Sequence, residues 1–72
     1  MKCCVMDRQT GAFIGYTYNG ISSDCWTIVP NNATRFKNMR EARKARSYMS
    51  KVCKIKVRDL IIYDDKTVSK FR

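Results

Sequence analysis

Residues 38–58 read NMREARKARSYMSKVCKIKVR, and this stretch decides the fold. Asn38 is a strong helix cap, and Glu41 three residues later completes the spacing of a capping box. From Met39 to Val52 the run is dense in Arg, Lys, Ala and Met, all favourable in helices. At about 100° per residue, Ala42, Ala45, Tyr48, Met49 and Val52 share one arc, and Arg40, Arg43, Lys44, Ser47 and Lys51 fall opposite. The spacing therefore predicts an amphipathic helix whose small apolar residues pack closely on a sheet. After it, Lys54-Ile55-Lys56-Val57-Arg58 alternates base and β-branched residue, the period of a half-buried strand. That register turns Ile55 and Val57 toward the helix and Lys54, Lys56 and Arg58 to the other sheet face. Asp59 interrupts the alternation, and Leu60-Ile61-Ile62-Tyr63 either continues this strand or forms a last one.

Upstream, residues 2–6 and 12–18 are rich in strand formers. They are separated by Asp7-Arg8-Gln9-Thr10-Gly11, a polar turn ending in the residue that tolerates positive φ. This predicts a β-hairpin. Asn19-Gly20 and Ser22-Ser23-Asp24 break the chain, Cys25–Val29 reads as a third strand, and Pro30 ends it. Asp64-Asp65 is turn chemistry, and residues 66–72 are expected to be a frayed tail. The whole is expected to be a single α+β domain over residues 1–72. Its order is β-β-β-α-β, with one amphipathic helix on a three- to four-stranded, mostly antiparallel sheet. Such a layout leaves one sheet face open, where a homodimer would add the buried area a small core lacks.

Charge is confined more tightly than composition suggests. Residues 1–34 carry two bases and two acids, and residues 59–72 carry three of each. Residues 35–58 carry ten bases against Glu41 alone, so the whole net charge of +9 lies in this one stretch. A field concentrated in this way speeds association with polyanions and acidic proteins and says nothing of the fold.

The chain excludes several chemistries. Having no histidine, it lacks the commonest general base and metal ligand. Phosphate-loop, dinucleotide and zinc-protease motifs are all missing, so no enzymatic activity and no catalytic residue is expected. Cys3 and Cys4 are adjacent while Cys25 and Cys53 stand far away; no C-x2-C pair is present, and neither a metal nor another cofactor is expected. Buried thiols are the expectation, with at most one of Cys3 and Cys4 in the core because neighbours on a strand face opposite sides. No apolar run reaches the 18 or so residues that span a bilayer, and Met1-Lys2-Cys3-Cys4 has no apolar secretory segment. A cytoplasmic location away from membranes is expected.

The candidate partner-binding residues are Arg40, Arg43, Lys44 and Lys51 on the helix, with Lys54, Lys56 and Arg58 on the following strand. Tyr16, Tyr18, Trp26 and Tyr63 are candidate stacking or interface aromatics. The RNA-binding signature of aromatic sheets is missing, and one helix is too few for a helix-turn-helix. Taken together, these residues suggest a small basic module that docks on a polyanionic surface, nucleic acid or nucleoprotein.

The hairpin opening, the Phe36-x-x-Met39-x-Glu41-Ala42-x-x-Ala45 start of the helix and the Ile55-Lys56-Val57 stretch carry a resemblance of layout. In these the chain resembles small single-domain accessory proteins of bacteriophages, of which anti-CRISPR inhibitors are the best-known class. The resemblance implies steric or electrostatic blocking of a host nucleoprotein or defence complex in the host cytoplasm, by protein–protein contact. It assigns no site residue.

Overall fold

Why residues 39–53 pack where they do follows from three small or flexible side chains. Helix α1 (Met39–Cys53) buries Ala42, Ala45 and Met49, and the two alanines let the helix axis approach the sheet closely. Asn38 Oδ1 accepts the Glu41 amide at 3.0 Å, the cap that the sequence announces. The computed structural model describes residues 1–15 and 25–70. Beneath α1 lies an antiparallel sheet of β1 (Cys3–Asp7), β2 (Phe13–Ile14), β3 (Trp26–Thr27) and β4 (Leu60–Asp64), in the order β3-β2-β1-β4. The fold is thus a small α+β domain.

β1 is the spine. It pairs along its full length with β4, from Cys3 opposite Asp64 to Asp7 opposite Leu60. On its other side Cys3 exchanges backbone hydrogen bonds with Phe36 at 2.9 and 2.7 Å, which anchors the segment leading into α1. The β1–β2 turn closes as expected. Asp7 Oδ1 accepts the Gln9 amide at 3.0 Å, and Gly11 sits at φ 76°, where a side chain would be strained. β3 is shorter than the sequence suggests, and residues 16–18 of the expected second strand lie outside the described residues. Gly15 donates its amide to Cys25 O and bridges Ala33, and a 3-10 turn at Pro30–Asn32 follows β3, leaving Ile28 and Val29 exposed.

The segment after α1 departs from expectation. Lys54 adopts the left-handed conformation (φ 56°, ψ 42°) and donates its amide to Ser50 O, ending the helix in a turn. Ile55 then packs back on the core, as an apolar residue after a left-handed helix end commonly does. Val57–Asp59 forms a 3-10 turn, and the strand begins only at Leu60. Lys54–Arg58 is therefore no strand. Lys54, Lys56 and Arg58 lie exposed in the helix-to-strand connection, and Val57 is 45% exposed instead of inward. The alternation was satisfied by Ile55 alone.

Both faces of the sheet are covered around β1. On the α1 side Cys3, Val5, Ile14, Cys25, Phe36 and Leu60 form the main core with the helix. On the far side Cys4, Phe13, Ala33 and Val68 form a second cluster, with Met6 and Tyr63 against it. Cys3 and Cys4 are consequently both buried, where only one was expected to be. The cover on the far side comes from the supposed tail. Asp65–Val68 is a helical turn, α2, and Val68 is fully buried. Arg35 Nε bonds Asp65 Oδ1 at 2.6 Å, while its Nη1 donates to the carbonyls of Pro30 and Ala33 at 2.9 Å, so one guanidinium ties three segments together.

Burial raises the Cys4 thiol pKa, against the opposing pull of the Arg35 charge. Little thiolate forms there at neutral pH. Titration with an aromatic disulfide reagent at pH 8 should find Cys53, which is half-buried, reacting first. Cys3, Cys4 and Cys25 should react only at the rate of unfolding; four equally fast thiols would contradict the two-sided core.

Candidate polyanion-binding surface

Helix α1 meets the sheet along one arc, so its remaining circumference sorts the basic side chains into three strips. Arg40 and Lys51 occupy the crown, Arg43 and Arg46 lean toward β4, and Lys44 lies on the flank beside Tyr48. The basic strip then runs off the end of the helix into Lys54, Lys56 and Arg58. Seven of the candidate residues therefore lie on one continuous run of chain from the helix crown into its exit turn. The expectation that Lys54, Lys56 and Arg58 point to the sheet face away from the helix does not hold, because the exit segment turns and never enters the sheet.

Acidic partners are scarce on this surface. Arg35 is committed to Asp65, and its side chain is 23% exposed. Lys44 Nζ approaches Glu41 Oε2 at 3.8 Å, both well exposed, a pair worth little in water. Among the described residues, Lys37, Arg40, Arg43, Arg46, Lys51, Lys54, Lys56 and Arg58 make no ion pair within 4.0 Å. Asp7 and Asp59 do line one groove with Lys54, Lys56 and Arg58, but Asp59 is already engaged there, accepting from Arg8 Nε and Gln9 Nε2 at 3.0 Å.

The arrangement works against the helix that carries it. Arg40 with Arg43 and Arg40 with Lys44 are like charges at i,i+3 and i,i+4, each costing about 0.2–0.5 kcal/mol. Arg40 also sits in the first turn, where the helix dipole disfavours a cation by about 0.3–1 kcal/mol. Lys51 and Lys54, at the other end, are favoured by the same dipole.

Of the candidate aromatics, Trp26 and Tyr63 do not join this surface. Trp26 is half-buried against the main core and Tyr63 against the second cluster, on the sheet face away from α1. Tyr16 and Tyr18 lie outside the described residues. An aromatic that was placed in the apolar arc lies beside the basic strip instead. Tyr48 is 47% exposed and lines an open groove with Phe36, Lys37, Lys44 and Ala45. Val52, placed in the same arc, is likewise exposed at 41%. The sequence did carry a signal for Tyr48, since it stands four residues after Lys44 and three before Lys51. A helix as narrow in its buried stripe as this one has room for Ala42, Ala45 and Met49 and no more.

Among the described residues no cluster of three or more His, Cys, Asp or Glu side chains could hold a metal ion, and no helix is long and apolar enough to cross a membrane. Compared with known families, curated proteins and solved structures, the chain matches none.

Proposed function

We propose that this protein is a non-enzymatic binding module whose basic surface docks on a phosphate-bearing polyanion, a nucleic acid or a nucleoprotein that displays one. The observation that carries the reading is the unpaired, mutually repelling row Arg40, Arg43 and Lys51 continued by Lys54, Lys56 and Arg58. Like charges kept at a cost to their own helix are relieved when a run of phosphates neutralises them, and counterions released from the polyanion drive the association. Tyr48, exposed beside Lys44, offers a face on which an unpaired base can stack.

The test is a salt titration of binding to single- and double-stranded DNA and RNA of random sequence. Docking through the row predicts micromolar affinity at physiological salt and a log–log slope that gains about 0.7 to 0.9 per phosphate contacted. Tyr48→Ala should weaken single-strand binding by roughly 1–3 kcal/mol and leave duplex binding nearly unchanged. A shallow slope, or binding confined to very low salt, would mean that the row serves another purpose.

A further inference from the structure

The sheet has one edge that no described segment covers, and that edge lies beside a second basic groove. β4 is last in the strand order. Cys3 spends its backbone hydrogen bonds on Phe36, and Asp7 donates to Ala12 O and accepts from the Gly11 amide, so the intervening Cys4 and Met6 direct theirs to Tyr63 and Ile61 of β4. Ile62 lies between these two, and its N–H and C=O therefore point outward, as does the C=O of Leu60. An edge of this kind is a template for another strand unless something blunts it.

What flanks the edge is not a blunting device. Met39, Arg43 and Arg46 of α1, with Val57 and Arg58 of the exit turn, line a groove whose floor is Leu60, Ile61 and Ile62. Met39 and Val57 are 39% and 45% exposed, so the groove has apolar as well as cationic walls. Within it the Nε of Arg46 is buried without a hydrogen-bond partner. A buried donor left unmatched is costly, and a carboxylate arriving at that guanidinium would satisfy it.

We infer that the β4 edge docks an extended acidic peptide segment of another protein, which adds a fifth strand to the sheet and sets its carboxylates on Arg46, Arg43 and Arg58. Side chains of an added strand alternate between the two faces. Those on the α1 side meet the arginines, and those on the other side meet Ile61, so the segment recognised alternates acidic and aliphatic residues. A second copy of this chain is a poor occupant, because pairing β4 with β4 would bring two sets of these arginines together on molecules of net charge +9. A nucleic-acid strand is a poor occupant too. The outward carbonyls of Leu60 and Ile62 require donors, which an amide backbone supplies and a phosphodiester does not.

The probe is an acetylated, amidated seven-residue peptide alternating Glu and Val, added to the full chain while amide hydrogen exchange is followed residue by residue. Saturating peptide should slow exchange at Ile62 at least tenfold, and Arg46→Gln should weaken binding by roughly tenfold, the scale of a charge-assisted hydrogen bond. Arg46→Lys, which keeps the charge but not the fork, should recover only part of the loss. Two further peptides, N-methylated at odd or at even positions, separate strand pairing from charge, and one of the two should fail to bind. The proposal is overturned if both bind like the parent, or if Ile62 exchange is unmoved. It is overturned equally if an oligothymidylate protects Ile62 as well as the peptide does, or if protection appears with protein concentration alone.

Discussion

Replacing Arg40, Arg43, Lys44 and Lys51 together by Gln is expected to cost the protein most of its affinity for nucleic acid while leaving the fold as stable as before or more so. The net charge falls from +9 by 4 to +5, so the chain stays basic. What it loses is the row itself. If each residue holds one phosphate, the slope of log affinity against log salt should drop by about 0.9 for each contact on a duplex. Affinity near physiological salt should fall by a factor on the order of 10²–10³, since surface contacts of this kind are worth about 1 kcal/mol each. Stability moves the other way, because the substitutions remove the like-charge neighbours Arg40–Arg43 and Arg40–Lys44, at about 0.2–0.5 kcal/mol each. All four positions are exposed, and none contributes to either core. Fluorescence anisotropy with a labelled oligonucleotide and a thermal melt, made on the same preparations, read the two effects separately. Unchanged affinity would remove the helix from the interface. A fall in both would mean that the row has a structural role its exposure does not suggest.

Helix α1 was legible because its determinants are local. Asn38 caps it, Glu41 stands at the right offset, and Ala42, Ala45 and Met49 recur on one arc, all within a single run of chain. The charge row was legible for the same reason. What the sequence did not disclose depended on partners distant along the chain. Lys54-Ile55-Lys56-Val57-Arg58 has a strand's alternation, yet the helix must end somewhere, and a left-handed Lys54 ends it there with Ile55 folded back. Lysine is not the residue one expects in that conformation, which glycine or asparagine usually fills. Tyr48 and Val52 fell in the apolar arc by angle alone, but β1 and β4 present too narrow a strip to reach them. The open β4 edge could not be read at all, since it depends on strand order and on which backbone groups β1 has already used.

Val68 is the sharpest of these cases, and substituting it should produce the largest loss of stability. With Phe71 it is one of two apolar residues in an otherwise polar tail, read naturally as frayed, yet it is fully buried with Cys4, Phe13 and Ala33 and completes the far-side core. Val68→Ala removes two methyl groups from that cluster and should cost about 2 kcal/mol, a fall in Tm on the order of 10 °C for a domain of this size. Val68→Asp would place a carboxylate inside this apolar cluster. Arg35, which lies beside Cys4 of the cluster, is already held by Asp65 and two carbonyls. An unpaired buried charge costs several kcal/mol, and a chain of this length has only about 4–10 kcal/mol in total, so cooperative unfolding should be lost at room temperature. Val52→Asp, at an exposed position in the last turn of α1, is the control and should cost no more than about 1 kcal/mol, the scale of an acid at a helix C-terminus. The attachment of α2 has its own pH dependence. The Thr67 amide donates to Asp64 Oδ1 at 2.7 Å and holds that carboxyl below its usual pKa, so the cap contributes above the ordinary carboxylate range and is lost as pH falls through the folded value. Asp64→Asn keeps a cap without a titrating group and should flatten that acid limb. If both Val68 variants melt like the parent, residues 65–70 are not part of the folded unit, and the far side of β1 is open after all.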